Sequence, residues 1–290
     1  MDDNKFFKIK KDTQQIADML LLNGTLTESP GLVHGKIGIA VFFFHYAQYT
    51  GNGLYADYAM DLIDEMLNQI HINSPADYEK GVAGIGVGID YLIRNNFLDV
   101  DDDICEDFDH LMSRAVMSDA KPDFSLYNGL SGHGRYWITR LRYQKTTKLA
   151  RECLSRIVAL VNERIAYISI SEQIDVFCFL SDLQKIVDFD SCIKLLKQYR
   201  SIMQVESLDV IQSFSRLGDS VIDNAIRVNL FNSYFKSSLF EDVDFELNQI
   251  PDLDIEKAPL STGLLNGYAG EGMLRLMALD KSNSSWIYLL

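Results

Sequence analysis

The chain has 290 residues, of which 47% are hydrophobic and 23% are charged, the composition of an ordinary globular protein. Its formal net charge of −14 would repel a phosphate backbone or an anionic lipid surface, so we predict neither a nucleic acid nor a membrane as partner. The five prolines are too few for a collagen-like repeat or a long proline-rich linker.

The chain also lacks the sequence signals of export. No apolar stretch approaches the length of a bilayer span, and residues 1–12 contain no apolar core of a secretory signal. The cysteines Cys105, Cys153, Cys178 and Cys192 form no Cys-x-x-Cys pair, a pattern typical of reduced thiols. We therefore expect a cytoplasmic protein.

Four segments resemble one another, and each contains a Gly-x-x-Gly motif. The glycine pairs are Gly35/Gly38, Gly81/Gly84, Gly129/Gly132 and Gly267/Gly270. The first glycines lie 46, 48 and 138 residues apart, and the last interval is three times the first. This spacing predicts two further repeats with eroded glycines, near residues 175 and 221, and hence six repeats.

Each repeat predicts two helices of different character. The segment after the glycines is apolar on nearly every side, as in residues 37–44, which indicates a helix buried between other helices. The second segment is amphipathic, as in residues 56–70. Because strand-like runs are nearly absent, the fold class is all-α. Six pairs of inner and outer helices predict an α/α toroid, a ring of helical hairpins forming one domain over residues 1–290.

The glycine motifs also predict where a ligand would bind. The first glycine permits a tight turn into the inner helix, and the second leaves room for a neighbouring segment. The helix N-termini would then meet at one mouth of the ring, where free N–H groups carry partial positive charge. The polar residues beside the motifs are candidate ligand-binding residues: His34, Asp77, Glu79, Tyr127, Asn128, His133, Asn266 and Glu271.

These candidates have structural interpretations as well. Asp77, Asn128 and Asn266 are able to cap free helix N–H groups. His34 is able to satisfy loop carbonyl groups beside its turn, and His133 is a similar case. The remaining histidines are predicted on or near helix surfaces, in structural roles: His45, His71 and His110.

Three other features indicate structure rather than chemistry. Asp90 lies in a buried helix and is expected to pair with Arg94 or Arg135, since an unpaired buried carboxylate is costly. The acidic run 99–103 lacks the glycine and glutamate of a calcium loop, and we interpret it as the start of an outer helix. Cys178 has no histidine near it in sequence and is expected to be an inert buried thiol.

The segments GLVHGKIGIA at 31–40 and GLLNGYAGEGMLRL at 263–276 resemble the first and last repeats of the lanthionine synthetase C-like family. Members of this family are α/α-toroid cyclases that act in the maturation of peptide natural products. The compact length of the chain resembles a shortened bacterial branch of the family. The resemblance therefore implies a toroid and a peptide substrate or precursor peptide.

The zinc ligands of that family are missing from this chain. Family cyclases hold a catalytic zinc with a Cys before one late Gly-x-x-Gly and a Cys-His-Gly before the next, which are the two eroded repeats here. The chain has no Cys-His pair and no histidine after His133, and only Cys178 lies near an expected ligand position. A catalytic zinc site needs three protein ligands. We therefore predict no metal and no other cofactor, and leave catalysis open.

The leading hypothesis is a zinc-lacking member of the family. It would bind a peptide as an accessory in bacterial lantibiotic-like maturation, alongside a partner modification enzyme. One alternative is a hydrolase or lyase acting on a carbohydrate with two carboxylates across the funnel, chosen from Asp77, Glu79, Asp90 and Glu271. A second alternative is a non-catalytic structural partner, which an exposed apolar patch on the outer face would favour.

Overall fold

A computed structural model describes most of the chain, and its regular structure is helical throughout the described part. The predicted all-α class is therefore confirmed. The described residues are 3–99, 103–118, 122–143, 147–188, 190–205, 230, 233–234, 250, 252–253, 261–280 and 284–290. The chain divides into two compact units, described separately below. The single domain over residues 1–290 stays a prediction.

The first unit comprises Met1–Ile70, Arg94–Phe97 and Leu217–Leu290. Its helices pack in a fixed order: α2 lies against both α3 and α10, and α1 lies against α10. The first helix of the chain therefore packs on the helix that follows the last glycine motif. The bounds are α1 Asp3–Asn23, α2 Lys36–Thr50, α3 Gly53–Gln69, α10 Tyr268–Leu279 and the 3-10 helix η2 Ser285–Leu289.

The second unit comprises His71–Ile93 and Leu98–Arg216. Helix α6 packs against α7 and α8, and α8 packs against α9. Helix α5 also contacts α6 and α7. The bounds are α4 Val82–Arg94, α5 Glu106–Ser118, α6 Leu130–Arg140, α7 Thr147–Arg164, the 3-10 helix η1 Ile165–Tyr167, α8 Ile170–Gln184 and α9 Asp190–Val205.

The two predicted helix types are confirmed. All residues of α2 over positions 36–47 are buried, and so are those of α4 over 82–92. Helix α3 instead buries one narrow stripe, formed by Ala59, Leu62, Ile63 and Met66. Helix α8 lies where a further repeat was predicted, near residue 175. The repeat predicted near residue 221 lies outside the described residues, apart from Leu230, Ser233 and Tyr234.

The motif glycines are needed for space, not for a special backbone conformation. Gly35, Gly129 and Gly267 have φ values of −135°, −121° and −142°, which any residue adopts. The loop before each motif folds back onto the first turn of the inner helix. A Cβ on Gly38, Gly132 or Gly270 would collide with the carbonyl oxygen six residues earlier. The first glycines are crowded as well, since a Cβ on Gly35, Gly129 or Gly267 would lie 2.5, 2.3 or 2.5 Å from backbone atoms of the preceding loop. The predicted role of the first glycine in the tight turn therefore agrees with the structure, because of space, and the predicted close approach at the second is confirmed at these three positions.

In the second motif, Gly81/Gly84, the first glycine is crowded in the same way as Gly35, Gly129 and Gly267. A Cβ on Gly81 would collide with the carbonyl oxygen of Pro75, which is also six residues earlier. Gly84 is buried as the third residue of α4, the place that Gly38 has in α2. The close approach predicted for the second glycine is not confirmed at Gly84, so it stays a prediction at this one position of the four.

Asp90 is paired, as predicted, but with a different arginine. Its carboxylate accepts a hydrogen bond of 2.5 Å from Nη1 of Arg142, which follows α6. Arg94 is exposed, and the guanidinium of Arg135 lies over the ring of Tyr78 at 5.7 Å. The prediction named the wrong partners because sequence proximity does not show which arginine faces α4.

The acidic run contributes to a buried ion network. Asp103 accepts two hydrogen bonds from Arg140, at 2.6 and 2.5 Å, and Asp109 accepts two more, at 2.9 and 2.8 Å. Asp103 also accepts the N–H of Cys105 just before α5 begins. The predicted role at the start of an outer helix is therefore only part of what Asp103 does. Residues 100–102 lie outside the described residues.

His45 is buried, which corrects its predicted place near a helix surface. Only 6% of the residue is exposed, and its ring meets the ring of Phe97 edge-on at 4.7 Å. Helix α2 is covered on all sides over this stretch, so it has no surface face for His45 to occupy. His71 and His110 are exposed, as predicted.

Burial of His45 predicts a pH-dependent stability. Burial lowers the pKa of His45 from 6.5 to about 4, so the unfolded chain takes up a proton before the folded chain does. The stabilisation from the neutral imidazole is complete above pH 6.5 and is lost as the pH falls towards 4. We expect the free energy of unfolding to fall by roughly 2 kcal/mol between pH 7 and pH 5 from this group.

Urea unfolding at the two pH values measures this loss. His45→Gln should remove most of the difference between pH 7 and pH 5, whereas His110→Gln, at an exposed position, should keep it. A His45→Gln variant that loses as much stability on acidification as the unmodified chain would contradict the prediction.

Candidate functional site

In the second unit, the loops before two glycine motifs are joined by backbone hydrogen bonds. The N–H groups of Tyr78 and Glu79 donate to the carbonyl oxygen of Tyr127, at 2.8 and 3.2 Å. Asp77 directly precedes Tyr78, and Asn128 directly follows Tyr127, so both adjoin this joint. The structure therefore groups four predicted site residues at the N-termini of α4 and α6.

The first unit repeats this joint in the same register. The N–H groups of Leu264 and Leu265 donate to the carbonyl oxygen of Val33, at 2.8 and 3.2 Å. In both joints the two donors lie three and two residues before the first glycine of one motif. The acceptor lies two residues before the first glycine of another motif. The joint brings the His34 loop next to the Asn266 loop.

The eroded fourth repeat makes the equivalent joint with carboxylates. The N–H of Phe124 donates to Glu172 at 3.1 Å, and the N–H of Leu126 donates to Asp175 at 2.9 Å. Helix α8 starts with a capping box, in which Ser169 and Glu172 each accept the other's backbone N–H. Since a helical turn and its cap replace the folded-back loop, no glycine is required there.

A second contact aligns α8 with the other inner helices. A glycine two residues after the second motif glycine packs on an aromatic ring of the next inner helix. In α6 and α2 this ring lies four residues after the second motif glycine of its own helix. The contacts are Gly86 on Tyr136, Gly134 on Phe179 and Gly272 on Phe42. By this alignment Glu172 and Asp175 occupy the positions of the two motif glycines.

The predicted capping role is confirmed for Asp77. Its Oδ1 accepts the N–H groups of Lys80 and Gly81, at 2.7 and 3.2 Å, so the carboxylate holds the turn into α4. Asn266 is exposed and has a left-handed φ of 53°, which asparagine tolerates better than most residues. The capping roles of Asn128 and Asn266 stay predictions.

The other candidates differ in exposure and partners. Glu271 forms an ion pair with Nη1 of Arg275, one turn later in α10. Glu79 pairs with Lys80 at 3.4 Å. His133 is buried in the first turn of α6, whereas His34 and Tyr127 are half-buried in their loops and Asn128 is exposed.

The structure thus distributes the eight predicted residues over two groups, one in each unit. Within each group, loop residues that are far apart in sequence become neighbours through the joints described above. The group in the second unit is Asp77, Glu79, Tyr127, Asn128 and His133, and the group in the first unit is His34, Asn266 and Glu271.

The sequence analysis missed a polar cluster beside α8. Arg135, Asp175 and Asp182 are half-buried, and all three act electrostatically on Cys178. Tyr78 is fully buried beside Arg135; burial raises the pKa of its hydroxyl above the usual value, although the arginine opposes the shift. Asp175, Cys178 and Asp182 are spaced as residues i, i+3 and i+7, a helical pattern that would have indicated one shared face.

This cluster does not create a reactive thiol. Burial raises the pKa of Cys178 well above its usual range, and Asp175 and Asp182 act in the same direction. A protonated, buried thiol is neither a good nucleophile nor a good metal ligand. The prediction of an inert Cys178 agrees with this environment.

The residues do not fit the zinc centre that the resemblance implies. All five histidines and all four cysteines of the chain lie in the described part. No group of three or more His, Cys, Asp or Glu side chains in that part is arranged to hold a metal ion. Burial also raises the pKa of Cys105 to about 12 and those of Cys153 and Cys192 to about 11, which disfavours thiolates.

No family model matches this chain, and no curated protein matches it. Among the helices of the described part, none combines the length and the apolarity needed to cross a bilayer. Function is therefore inferred from the joined loops and the polar groups around them.

Proposed function

We propose that the chain is a zinc-independent relative of the lanthionine synthetase C-like proteins, built as an α/α toroid. It binds a peptide at the mouth formed by the joined loops and serves as an accessory in bacterial modified-peptide maturation. The observation that carries the proposal is the loop joint, which recurs in the same register and direction in both units.

Directional joints support a ring. The second motif loop donates to the third, the third donates to α8 of the fourth repeat, and the last donates to the first. In an open row of repeats, the first and last repeats would not be neighbours, so their loops would not be hydrogen-bonded to each other. The packing of α1 on α10 supports the same conclusion, since it brings the helix before the first motif onto the helix after the last motif.

The chemistry of the joined loops suits a peptide. Tyr127, Asn128 and Asn266 offer hydroxyl and amide groups at half-buried or exposed positions, which match the donors and acceptors of a peptide backbone. The net charge of −14 favours a cationic peptide over an anionic one. Peptide binding at the mouth therefore needs neither a metal nor a free thiolate.

The alternative function, a hydrolase or lyase acting on a carbohydrate, has less support. Each of the four carboxylates considered for it already has a partner. Asp77 caps α4, and Glu271 is held by Arg275 within the same helix. A pair of carboxylates for acid and base catalysis would first have to leave these partners.

Metal analysis together with peptide binding tests the proposal. We expect the purified protein to contain far less than one zinc per chain and to bind a precursor peptide encoded beside its gene equally well with and without a chelator. Asn128→Ala should weaken this binding about fivefold to tenfold, the effect of losing one hydrogen bond. Asn68→Ala, on the exposed face of α3, is the matched control and should leave binding unchanged.

Two outcomes would overturn the proposal. One zinc per chain, removable by chelation with loss of binding, would contradict the zinc-independent part. Failure to bind any precursor peptide encoded beside the gene, in unmodified or dehydrated form, would contradict the peptide-binding part of the proposal. The structural-partner alternative would then be the better interpretation.

A further inference from the structure

Two lysines of α1 hold a segment that lies far away in sequence. Nζ of Lys5 donates to the carbonyl oxygen of Ile250 at 2.8 Å, 245 residues away, and lies 3.5 Å from Oδ1 of Asp252. Nζ of Lys8 lies 2.5 Å from Oδ2 of the same carboxylate. The hydrogen bond from Lys8 lowers the pKa of Asp252, so this carboxylate is ionised at neutral pH. Asp252 therefore binds two ammonium groups of α1 at once.

A buried carboxylate and an apolar contact complete the attachment of this segment. Asp12 of α1 is only 7% exposed and accepts the N–H of Leu253 at 3.3 Å, a hydrogen bond that a buried carboxylate needs. Ile250 is buried in one cluster with Ile9 of α1 and Ala278 of α10. The segment therefore contacts both α1 and α10, which also pack on each other.

The loop that follows α1 and the loop that precedes α10 are linked in the same order. Oγ1 of Thr27 and Oγ1 of Thr262 are hydrogen-bonded at 3.0 Å, and the N–H groups of Leu264 and Leu265 donate to the carbonyl oxygen of Val33. The contacts thus run in the same direction along both stretches of chain. The charged contacts of α1 lie at one end of this row, and the loop joint of the first unit lies at the other end.

We propose that Lys5, Lys8 and Asp12 form a salt-sensitive clasp, which holds the last motif loop, residues 261–267, in place for peptide binding. The clasp responds to salt because its charges contact water: 48% of the Lys8 side chain and 61% of the Asp252 side chain are exposed. Dissolved ions screen such pairs. Release of the segment would remove an apolar contact of α10, the helix that directly follows the last motif loop.

Hydrogen exchange of the backbone amides, measured by mass spectrometry on the full chain, tests the clasp. Asp252→Asn removes the charge that both lysines contact. We expect exchange to become about fivefold faster in the peptides that contain Leu253 and residues 261–267, the effect of losing two exposed ion pairs. Raising NaCl from about 50 mM to about 500 mM should speed exchange there in the unmodified chain, and much less in Asp252→Asn.

Two further variants guard against a general effect of charge or folding. Asp64→Asn, on the exposed face of α3 in the same unit, is the matched control and should leave exchange in both peptides unchanged. Lys8→Gln keeps the contacts of Lys5 and should speed exchange only about twofold. Exchange in α3 should be the same in every variant, because the clasp does not contact that helix.

The outcomes separate this inference from the proposed function, on which only its effect on binding rests. Unchanged exchange of residues 261–267 in Asp252→Asn would overturn the clasp, whether or not a peptide binds. If exchange changes as expected, the precursor peptide should bind Asp252→Asn about fivefold more weakly than the unmodified chain. Equal binding to both proteins would overturn the effect of the clasp on the mouth. If exchange changes as expected and no precursor peptide binds either protein, the clasp stands and the proposed function is wrong.

Discussion

Replacing Arg140 by alanine is expected to lower the free energy of unfolding by about 3–5 kcal/mol, the range for breaking a buried ion pair from one side. Arg140 is 1% exposed and donates to both Asp103 and Asp109. Burial alone would lower the pKa of Arg140, but its hydrogen bonds to the two carboxylates outweigh burial and raise it. Without the guanidinium, two carboxylates would remain in a nearly dry site.

Urea unfolding of the variant measures the effect. Arg151→Ala, at an exposed position on α7, is the matched control and should change stability by less than about 0.5 kcal/mol. Combining Arg140→Met with Asp103→Asn and Asp109→Asn should recover most of the loss, since no uncompensated charge remains. An Arg140→Ala variant within about 1 kcal/mol of the unmodified chain would show that the network does not hold α5 to α6.

Gly132→Ala is expected to destabilise the protein by about 3 kcal/mol, the upper part of the range for overpacking. The added Cβ would collide with the carbonyl oxygen of Leu126 and lie 2.7 Å from Cβ of Tyr78. Both atoms belong to the backbone or lie next to it, in loops that hydrogen bonds hold in place. No flexible side-chain end can rotate away, so the helix or the loop must move.

Gly53→Ala is the matched control, with an effect of opposite sign. Nothing lies within 4 Å of a Cβ at Gly53, at the start of α3. Alanine there should raise the free energy of unfolding by about 0.5–1 kcal/mol, because it reduces the backbone entropy of the unfolded chain. Chemical unfolding of both variants measures the contrast, and two changes of the same sign and size would contradict the crowding at Gly132.

The inner and outer helices were predictable because burial follows local hydrophobic periodicity. The uniformly apolar segment 37–44 could only be a helix covered on all sides, and it lies within buried α2. The same rule should have placed His45 inside, since it continues that segment. The polarity of His45 suggested a surface position, but other segments cover α2 on all sides, so His45 is buried.

The loss of the motif glycines in the fourth repeat was predictable, but the side chains that take their place were not. Spacing indicated a repeat near residue 175, and α8 is present there. Only the contacts show that Glu172 and Asp175 stand in for the glycines by accepting N–H groups from the previous loop. The cluster around Cys178 was missed for the same reason, since Arg135 comes from a different helix.

The sequence by itself determined the helical class, the repeat and the two kinds of helix, because these depend on the spacing of residues along one chain segment. Only the tertiary structure decided which arginine neutralises Asp90, which groups accept the loop N–H donors, and which segment the clasp of α1 holds. Those outcomes depend on side chains and loops from distant segments meeting in space, which periodicity along the chain does not specify.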